Sequence, residues 1–228
     1  MNLYINPKKS FQFLLKLILF LLICHLAVIY LKLIKVEGIY KNIIYFFDFD
    51  WERNLPTFYS SLALLASSFL LLIISMFHKK KKLLQYQWLG LSIIFAFLSI
   101  DEITVIHEQL WKPTQTFFNT TGLLYYAWYI PYVIILLILM IVYAKFFLKL
   151  PKNVKTLFTI AGIVFIFGAV GIEAVSGYQD ELYGQENLLF YTLCTIEELF
   201  EMVGVAIFIY GLLTYISDKF VHVDLEIA

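Results

Sequence analysis

The sequence predicts an all-α protein, a bundle of six membrane-spanning helices. Hydrophobic residues make up 61% of the 228 residues and charged residues only 15%, whereas a soluble domain carries about 25% charged residues. The mean hydropathy is +0.82, and the lysines lie in short runs at the ends of apolar segments. This much apolar surface exceeds what one soluble core could bury, so we expect lipid to surround the chain.

Each of six apolar segments is long enough to cross a bilayer, which takes about 20 residues. They cover residues 11–34, 57–77, 86–109, 125–148, 154–178 and 188–215. The first is longer than the apolar part of a signal peptide and lacks a small-residue cleavage site, so we expect it to remain as a membrane anchor. No linker or clear internal repeat interrupts the series, and residues 1–228 are expected to form one domain.

The distribution of lysines predicts the orientation. Lysine clusters at 8–9, 79–82 and 145–155 all fall on the side of the two termini. On the opposite side, the basic residues are mixed with many acids. Positive charge is retained in the cytoplasm, so both termini should be cytoplasmic (N-in and C-in).

The connection 35–56 between the first two helices is too polar and too short to span. Its aromatic residues predict an interfacial helix or a flap on the outer surface, with the rings at headgroup depth. The two cysteines, Cys24 and Cys194, lie inside apolar segments, and we expect them to pack rather than to form a disulfide. His25 and Cys24 could line the site, but we expect them to pack. The fifth helix is rich in glycine, which allows close helix approach and makes it a candidate oligomer interface.

Seven acids and one histidine interrupt the apolar segments. They are Asp101, Glu102, His107 and Glu108 in the third segment, Glu173 in the fifth, and Glu197, Glu198 and Glu201 in the sixth. With the third helix starting inside, Asp101 lies about 22 Å along it, and the other two helices bring their acids toward the same outer leaflet. Asp101 and Glu108 are expected on one helical stripe, and Glu201 beside both Glu197 and Glu198.

These eight residues are candidate functional residues because their charges must be balanced within the membrane. An ionised acid at the bilayer centre costs about 2.5–3.5 kcal/mol, yet these helices hold no lysine or arginine at that depth. Protons, a metal ion, a permeating cation or water must compensate. Several carboxylates and an imidazole suit a divalent metal ion, so all eight are candidate metal ligands, and the metal ion is the one cofactor expected. The alternative is that the acids are protonated and hydrogen-bonded across helices as structural contacts.

The patterns Asp101-Glu102-x4-His107-Glu108 and Glu197-Glu198-x2-Glu201-Met202-x-Gly204 resemble those of a family of small polytopic bacterial membrane proteins. This resemblance implies a bacterial inner-membrane location and carries no activity. Glu197-Glu198 also resembles the opening of CAAX-type intramembrane proteases, but their following arginine and later histidine motif are missing.

Our leading hypothesis is a cation channel or transporter subunit in which the acids bind and pass a cation or protons. It would act within the lipid bilayer as a homo-oligomer if a pore exists. The alternative is a membrane-embedded metal-dependent enzyme that acts on a lipid or lipid-linked substrate. A third possibility is a structural or partner-binding subunit. The formal net charge of zero gives no reason to expect a nucleic-acid partner.

Overall fold

A computed structural model describes residues 6–35 and 45–220, and it confirms the all-α architecture. Six helices of this part of the chain are long and apolar enough to cross a membrane. These first to sixth spans are Pro7–Leu33, Leu55–Phe77, Lys82–Thr104, Tyr129–Leu148, Lys152–Tyr183 and Leu188–Phe220. The protein is therefore a multi-pass membrane protein by the length and composition of its helices.

The first and sixth spans run antiparallel. Phe11 stacks on Tyr210 with ring centroids 5.2 Å apart, and His25 lies 2.9 Å from the hydroxyl of Thr195. The start of the first span and the end of the sixth span therefore lie at one end of the bundle, which we call the proximal end. The opposite end, where the first span ends and the second begins, is the distal end.

The first two spans begin with the same N-terminal capping motif. Asn6 caps the first span by accepting the Lys9 amide at 3.1 Å, and Asn54 caps the second by accepting the Thr57 amide at 3.2 Å. A proline follows each cap in the first turn, where its missing N–H costs no helical hydrogen bond.

Serine pairs join the second and third spans. The hydroxyls of Ser61 and Ser99 lie 3.0 Å apart, and each also donates to the other's backbone carbonyl at 2.8 Å. Ser68 and Ser92 repeat this arrangement one heptad along, with donor–acceptor distances of 2.8 and 2.9 Å. These small side chains let the two backbones come close and satisfy their own hydroxyls away from water.

Glycine brings the fifth and sixth spans together. A Cβ atom on Gly168 would lie 2.8 Å from the carbonyl oxygen of Glu197 and 2.9 Å from the Cβ of Phe200. Gly204 on the sixth span approaches Phe165 as closely. Close helix approach by the fifth span is thus used inside the chain, at the level of the acids.

The proximal half of the bundle is packed with apolar side chains. Its largest cluster contains Leu71, Ile74, Trp88, Phe146, Leu150, Val154, Leu212 and Tyr215. A second cluster lies between the second and sixth spans around Ala63, Leu64, Val205, Ile209 and Leu213. The fourth span lies at the edge of the bundle and is mostly exposed, as expected of a helix that faces lipid.

The third helix does not run to residue 109 as predicted. It ends at Thr104 because Val105 takes a left-handed conformation with φ 60°, after which short helices follow at Ile106–Gln109 and Trp111–Phe118. Glu108 therefore does not share a stripe with Asp101. The fourth span starts later than predicted, at Tyr129, and the fifth and sixth extend further, to Tyr183 and Phe220.

The prediction that the aromatic rings of 35–56 lie at the surface is wrong for Phe49, whereas Phe46 and Trp51 are about half exposed; residues 36–44 lie outside the described residues. Segment 45–54 folds into the distal end of the bundle, where Asp48 is 0% and Phe49 is 4% exposed. Phe49 enters an apolar cluster with Ile18, Leu21 and Met202. Burial of the Phe49 ring and pairing of Asp48 with Lys32 stabilise the inward position.

Candidate functional site

Asp101 holds the turn that ends the third span. Its backbone carbonyl accepts the Val105 amide at 2.7 Å, and its Oδ1 accepts the His107 amide at 2.9 Å. Its Oδ2 accepts the Tyr132 hydroxyl at 3.1 Å and lies 3.3 Å from Nδ1 of His107. Three donor groups thus surround this carboxylate, which is 4% exposed.

His107 is the cation beside the acids. Burial alone would lower its pKa, but the hydrogen bond and charge of Asp101, together with the charges of Glu102 and Glu108, raise the pKa to about 9. Its ring packs against Trp128 with centroids 4.7 Å apart. A pKa of about 9 favours the imidazolium form of His107 at neutral pH, with Asp101 as its counterion.

Glu173 begins the last part of the fifth span, directly after a π-helical turn at Phe167–Ile172. Such turns widen a helix locally and often mark functional sites. Trp128 donates its indole N–H to Glu173 at 2.5 Å. Ser176, one turn further, contacts both the backbone oxygen of Glu173 at 3.0 Å and the carboxyl group of Glu197 at 3.2 Å.

Three acids have no such partner. Glu102, Glu198 and Glu201 make no hydrogen bond or ion pair within the described part of the chain, and each is only partly buried. Glu198 and Glu201 interact electrostatically with each other and with Glu102. The charges of Glu197 and His107 also act on Glu201. The structure thus brings acids of the third, fifth and sixth spans together.

Glu52 joins them from segment 45–54, and sequence reasoning missed it by assigning that segment to the surface. Its carboxylate accepts the Thr57 hydroxyl at 3.2 Å. Burial, and then the charge of Glu108, raise the Glu52 pKa to about 7. Its charge acts on acids of the third, fifth and sixth spans. We define the acidic cluster as Glu52, Glu102, Glu173, Glu197, Glu198 and Glu201.

Glu108, a predicted ligand, has an exposed side chain, and its charge acts on Glu52, Glu102, Glu173 and Glu197. Two hydroxyls in the first turns of the second span, those of Tyr59 and Ser60, are buried without a hydrogen-bond partner among the described residues. The side chain of Tyr59 packs against the apolar cluster that contains Ile18, Leu21 and Phe49.

A second polar group, also missed, lies between the first span, segment 45–54 and the sixth span. Nζ of Lys32 is 2.5 Å from Asp48 and 3.4 Å from Asp50, and it lies 4.6 Å from the ring centroid of Tyr191. The short Lys32–Asp48 distance marks an ion pair, which satisfies the buried carboxylate. Burial raises the pKa of Asp50 to about 6 against the opposing charge of Lys32.

His25 completes this group and does more than pack. Its Nδ1 accepts the Phe49 amide at 3.0 Å, and its Nε2 lies 2.9 Å from the Thr195 hydroxyl. The Thr195 proton is donated to the Tyr191 carbonyl at 2.6 Å. Nε2 of His25 must therefore carry the proton, and the ring is neutral. Its 3.7 Å approach to Asp48 is then not an ion pair.

A family model described as "Domain of unknown function (DUF8692)" matches residues 15–216. The chain belongs to this family. The match extends over all six spans and includes every residue of the acidic cluster. No curated protein and no solved structure matches the chain.

The side chains of this DUF8692 member determine which ligands the candidate site can bind. Within the described residues, no three His, Cys, Asp or Glu side chains are arranged to hold a metal ion. The arrangement gathers carboxylates around one imidazolium. It can take up protons or attract a cation.

Proposed function

We propose that the protein binds protons or a cation in the acidic cluster and moves them across the membrane as a transporter or a transporter subunit. In the predicted orientation the distal end faces outward, so the cluster would be loaded from outside. The observation that carries the proposal is the set of half-buried, unpartnered carboxylates of Glu102, Glu198 and Glu201.

Charge imbalance supports the proposal. His107 supplies one positive charge to Glu102 and Glu201, and Lys32 is already paired with Asp48. Carboxylates that remain uncompensated in a low-dielectric environment must bind protons or an external cation. Glu52, with a pKa of about 7, is suited to exchange protons near neutral pH.

The absence of a prearranged metal group in the described residues favours protons or a weakly coordinated monovalent cation over a resident divalent metal. A divalent ion requires several ligand oxygens at once, so the side chains would have to move before binding one. A proton needs one carboxylate.

The apolar proximal half favours a carrier over a permanently open channel. Leu71, Trp88 and Leu212 are fully buried there, and the buried polar side chains in this half of the second span are the serines Ser67, Ser68 and Ser75, not acids. Release to the proximal side would require the spans to move, as in alternating access.

The test is equilibrium binding and flux with purified protein. Uptake of protons, Na⁺, K⁺ and Mg²⁺ would be measured in nanodiscs by calorimetry and in liposomes with ion-sensitive dyes. We expect Glu201→Gln to weaken binding of the accepted ion by about tenfold or more, because a hydrogen bond or contact to a charged group contributes about 1.5–3 kcal/mol.

The matched control is Glu186→Gln, which makes the same chemical change at an exposed position in the distal loop and should bind and transport as wild type. Equal binding in all three proteins, or no binding of any tested ion by wild type, would refute the proposal.

A further inference from the structure

Segment 45–54 is held against the bundle by the buried ring of Phe49, by the Lys32–Asp48 ion pair and by polar contacts at its two ends. At its C-terminal end Asn54 donates to the carbonyl of Asp48 at 2.5 Å and to that of Tyr45 at 3.1 Å while capping the second span. Arg53, just before it, has a left-handed backbone with φ 62°. This unfavourable conformation for a non-glycine residue is held only by its surroundings, so Arg53 is a suitable hinge.

The opposite side of the segment is held by His25. The Phe49 amide donates to Nδ1 of His25 at 3.0 Å, and the two rings stack with centroids 4.2 Å apart and an angle of 6°. His25 is itself fixed to the sixth span through Thr195. One neutral imidazole thus connects the first span, the segment and the sixth span.

The same segment carries Glu52 into the acidic cluster. Its one hydrogen bond, from Thr57, comes from the first turn of the next span. Its other surroundings are charged: His107 and Arg53 attract it, while Glu108 repels it. The unpartnered hydroxyls of Tyr59 and Ser60 follow within a turn of Thr57.

We propose that segment 45–54 is a movable cap of the acidic cluster, that Glu52 on this cap is a ligand of the bound cation, and that His25 is the latch that holds the cap closed. The ligand role of Glu52 rests on the proposed function, whereas the latch does not. Binding of a cation joins Glu52 to acids of the other spans and closes the cap. Opening of the cap gives the cluster access to water at the distal end.

The latch is tested by hydrogen–deuterium exchange of the peptide covering 45–54, without added cation. His25→Leu removes the acceptor while keeping a large side chain, and His25→Asn keeps a carbonyl oxygen near the position of Nδ1. We expect exchange at Phe49 to be about fivefold faster in the leucine variant, the effect of one lost hydrogen bond. The asparagine variant should exchange at close to the wild-type rate.

If both variants exchange at the wild-type rate, the latch is refuted. If both exchange faster to the same extent, the Nδ1 hydrogen bond is not what holds the cap, and the latch is refuted as well. Circular dichroism of each variant identifies unfolding, and the asparagine variant provides the comparison if the leucine variant does not fold.

The ligand role of Glu52 is tested by repeating the exchange measurement in the presence of Na⁺ or K⁺, whichever wild type binds, or at the lower pH at which wild type takes up protons. We expect the bound ion to slow exchange of 45–54 in wild type and in Glu186→Gln but not in Glu52→Gln, whose affinity should fall about tenfold. If wild type binds the ion and Glu52→Gln binds it equally well, the ligand role is refuted while the proposed function stands. If wild type binds no ion, the proposed function and the ligand role fail together, and the leucine–asparagine comparison still decides the latch.

Discussion

Replacing Asp101 by asparagine tests whether His107 is an imidazolium in the folded protein. The Asp101→Asn variant would keep the size of the side chain and a carbonyl oxygen for the His107 amide, but it would lose the negative charge 3.3 Å from Nδ1. Raising the His107 pKa from 6.5 to about 9 corresponds to about 3 kcal/mol in favour of the charged ring. Without the Asp101 carboxylate, burial dominates and the pKa of His107 should fall below neutral.

The sign of the pH effect follows from this shift. Because the folded pKa lies above the unfolded value of 6.5, the stabilisation is complete below pH 6.5 and is lost as the pH rises through about 9. The difference in unfolding free energy between wild type and Asp101→Asn should therefore be largest near pH 6.5 and shrink at higher pH.

Nitrogen-15 NMR of histidine-labelled protein measures the charge directly. The chain has four histidines, and a His107→Gln sample assigns the signal. We expect an imidazolium at pH 7.5 in wild type and a neutral ring in Asp101→Asn, with Glu186→Gln unchanged. A neutral His107 in wild type at pH 7.5, or an imidazolium that persists in Asp101→Asn, would refute the reasoning.

Three further predictions concern stability, measured by thermal unfolding in detergent. Because the folded pKa of Glu52, about 7, exceeds its ordinary 4.5, stability is lost as the pH rises from 4.5 to 7, and the loss is complete above pH 7. Glu52→Gln should therefore be more stable than wild type at pH 8 and equal to it near pH 4.5; greater stability at both pH values would contradict this. Gly168→Ala should cost about 1–3 kcal/mol by overpacking against the sixth span, whereas Gly162→Ala, whose Cβ meets nothing within 4 Å, should be neutral or stabilising; equal effects would contradict the close approach. Lys32→Met should cost about 3–5 kcal/mol by leaving Asp48 buried and unpaired, and adding Asp48→Asn should recover most of this loss if the ion pair is the cause.

The six spans follow from the sequence because long apolar segments have one stable arrangement in lipid, with every backbone group bonded inside a helix. The convergence of acids also follows, since alternating helix direction places Glu173 and Glu201 at the same end as Asp101. The pairing of Ser61 and Ser68 with the third span had a visible signal in their heptad spacing.

The break at Val105 could not be predicted locally. The sequence has no glycine or proline there, and a β-branched residue is unfavourable in the left-handed region. The turn is determined by the contacts of Asp101 with His107, which lies beyond the end of the third span, and with Tyr132, which lies in the fourth span.

The inward position of segment 45–54 depends on partners far along the chain. Its acids looked like surface residues because their counterion, Lys32, lies in a different element. The one available signal was the spacing of His25 and Lys32, seven residues apart in the second half of the first span, which places two polar side chains on one face. Pairing of that face with Asp48 required the tertiary structure.

In the proposed function, acids of different spans act on one bound ion. A double-mutant cycle of Glu102→Gln and Glu201→Gln, read out as the affinity for the accepted ion, measures this coupling. We expect each variant to weaken binding and the double variant to depart from the sum of the two effects by about 0.5 kcal/mol or more. Additive effects, or wild-type affinity in either single variant, would contradict a shared ion.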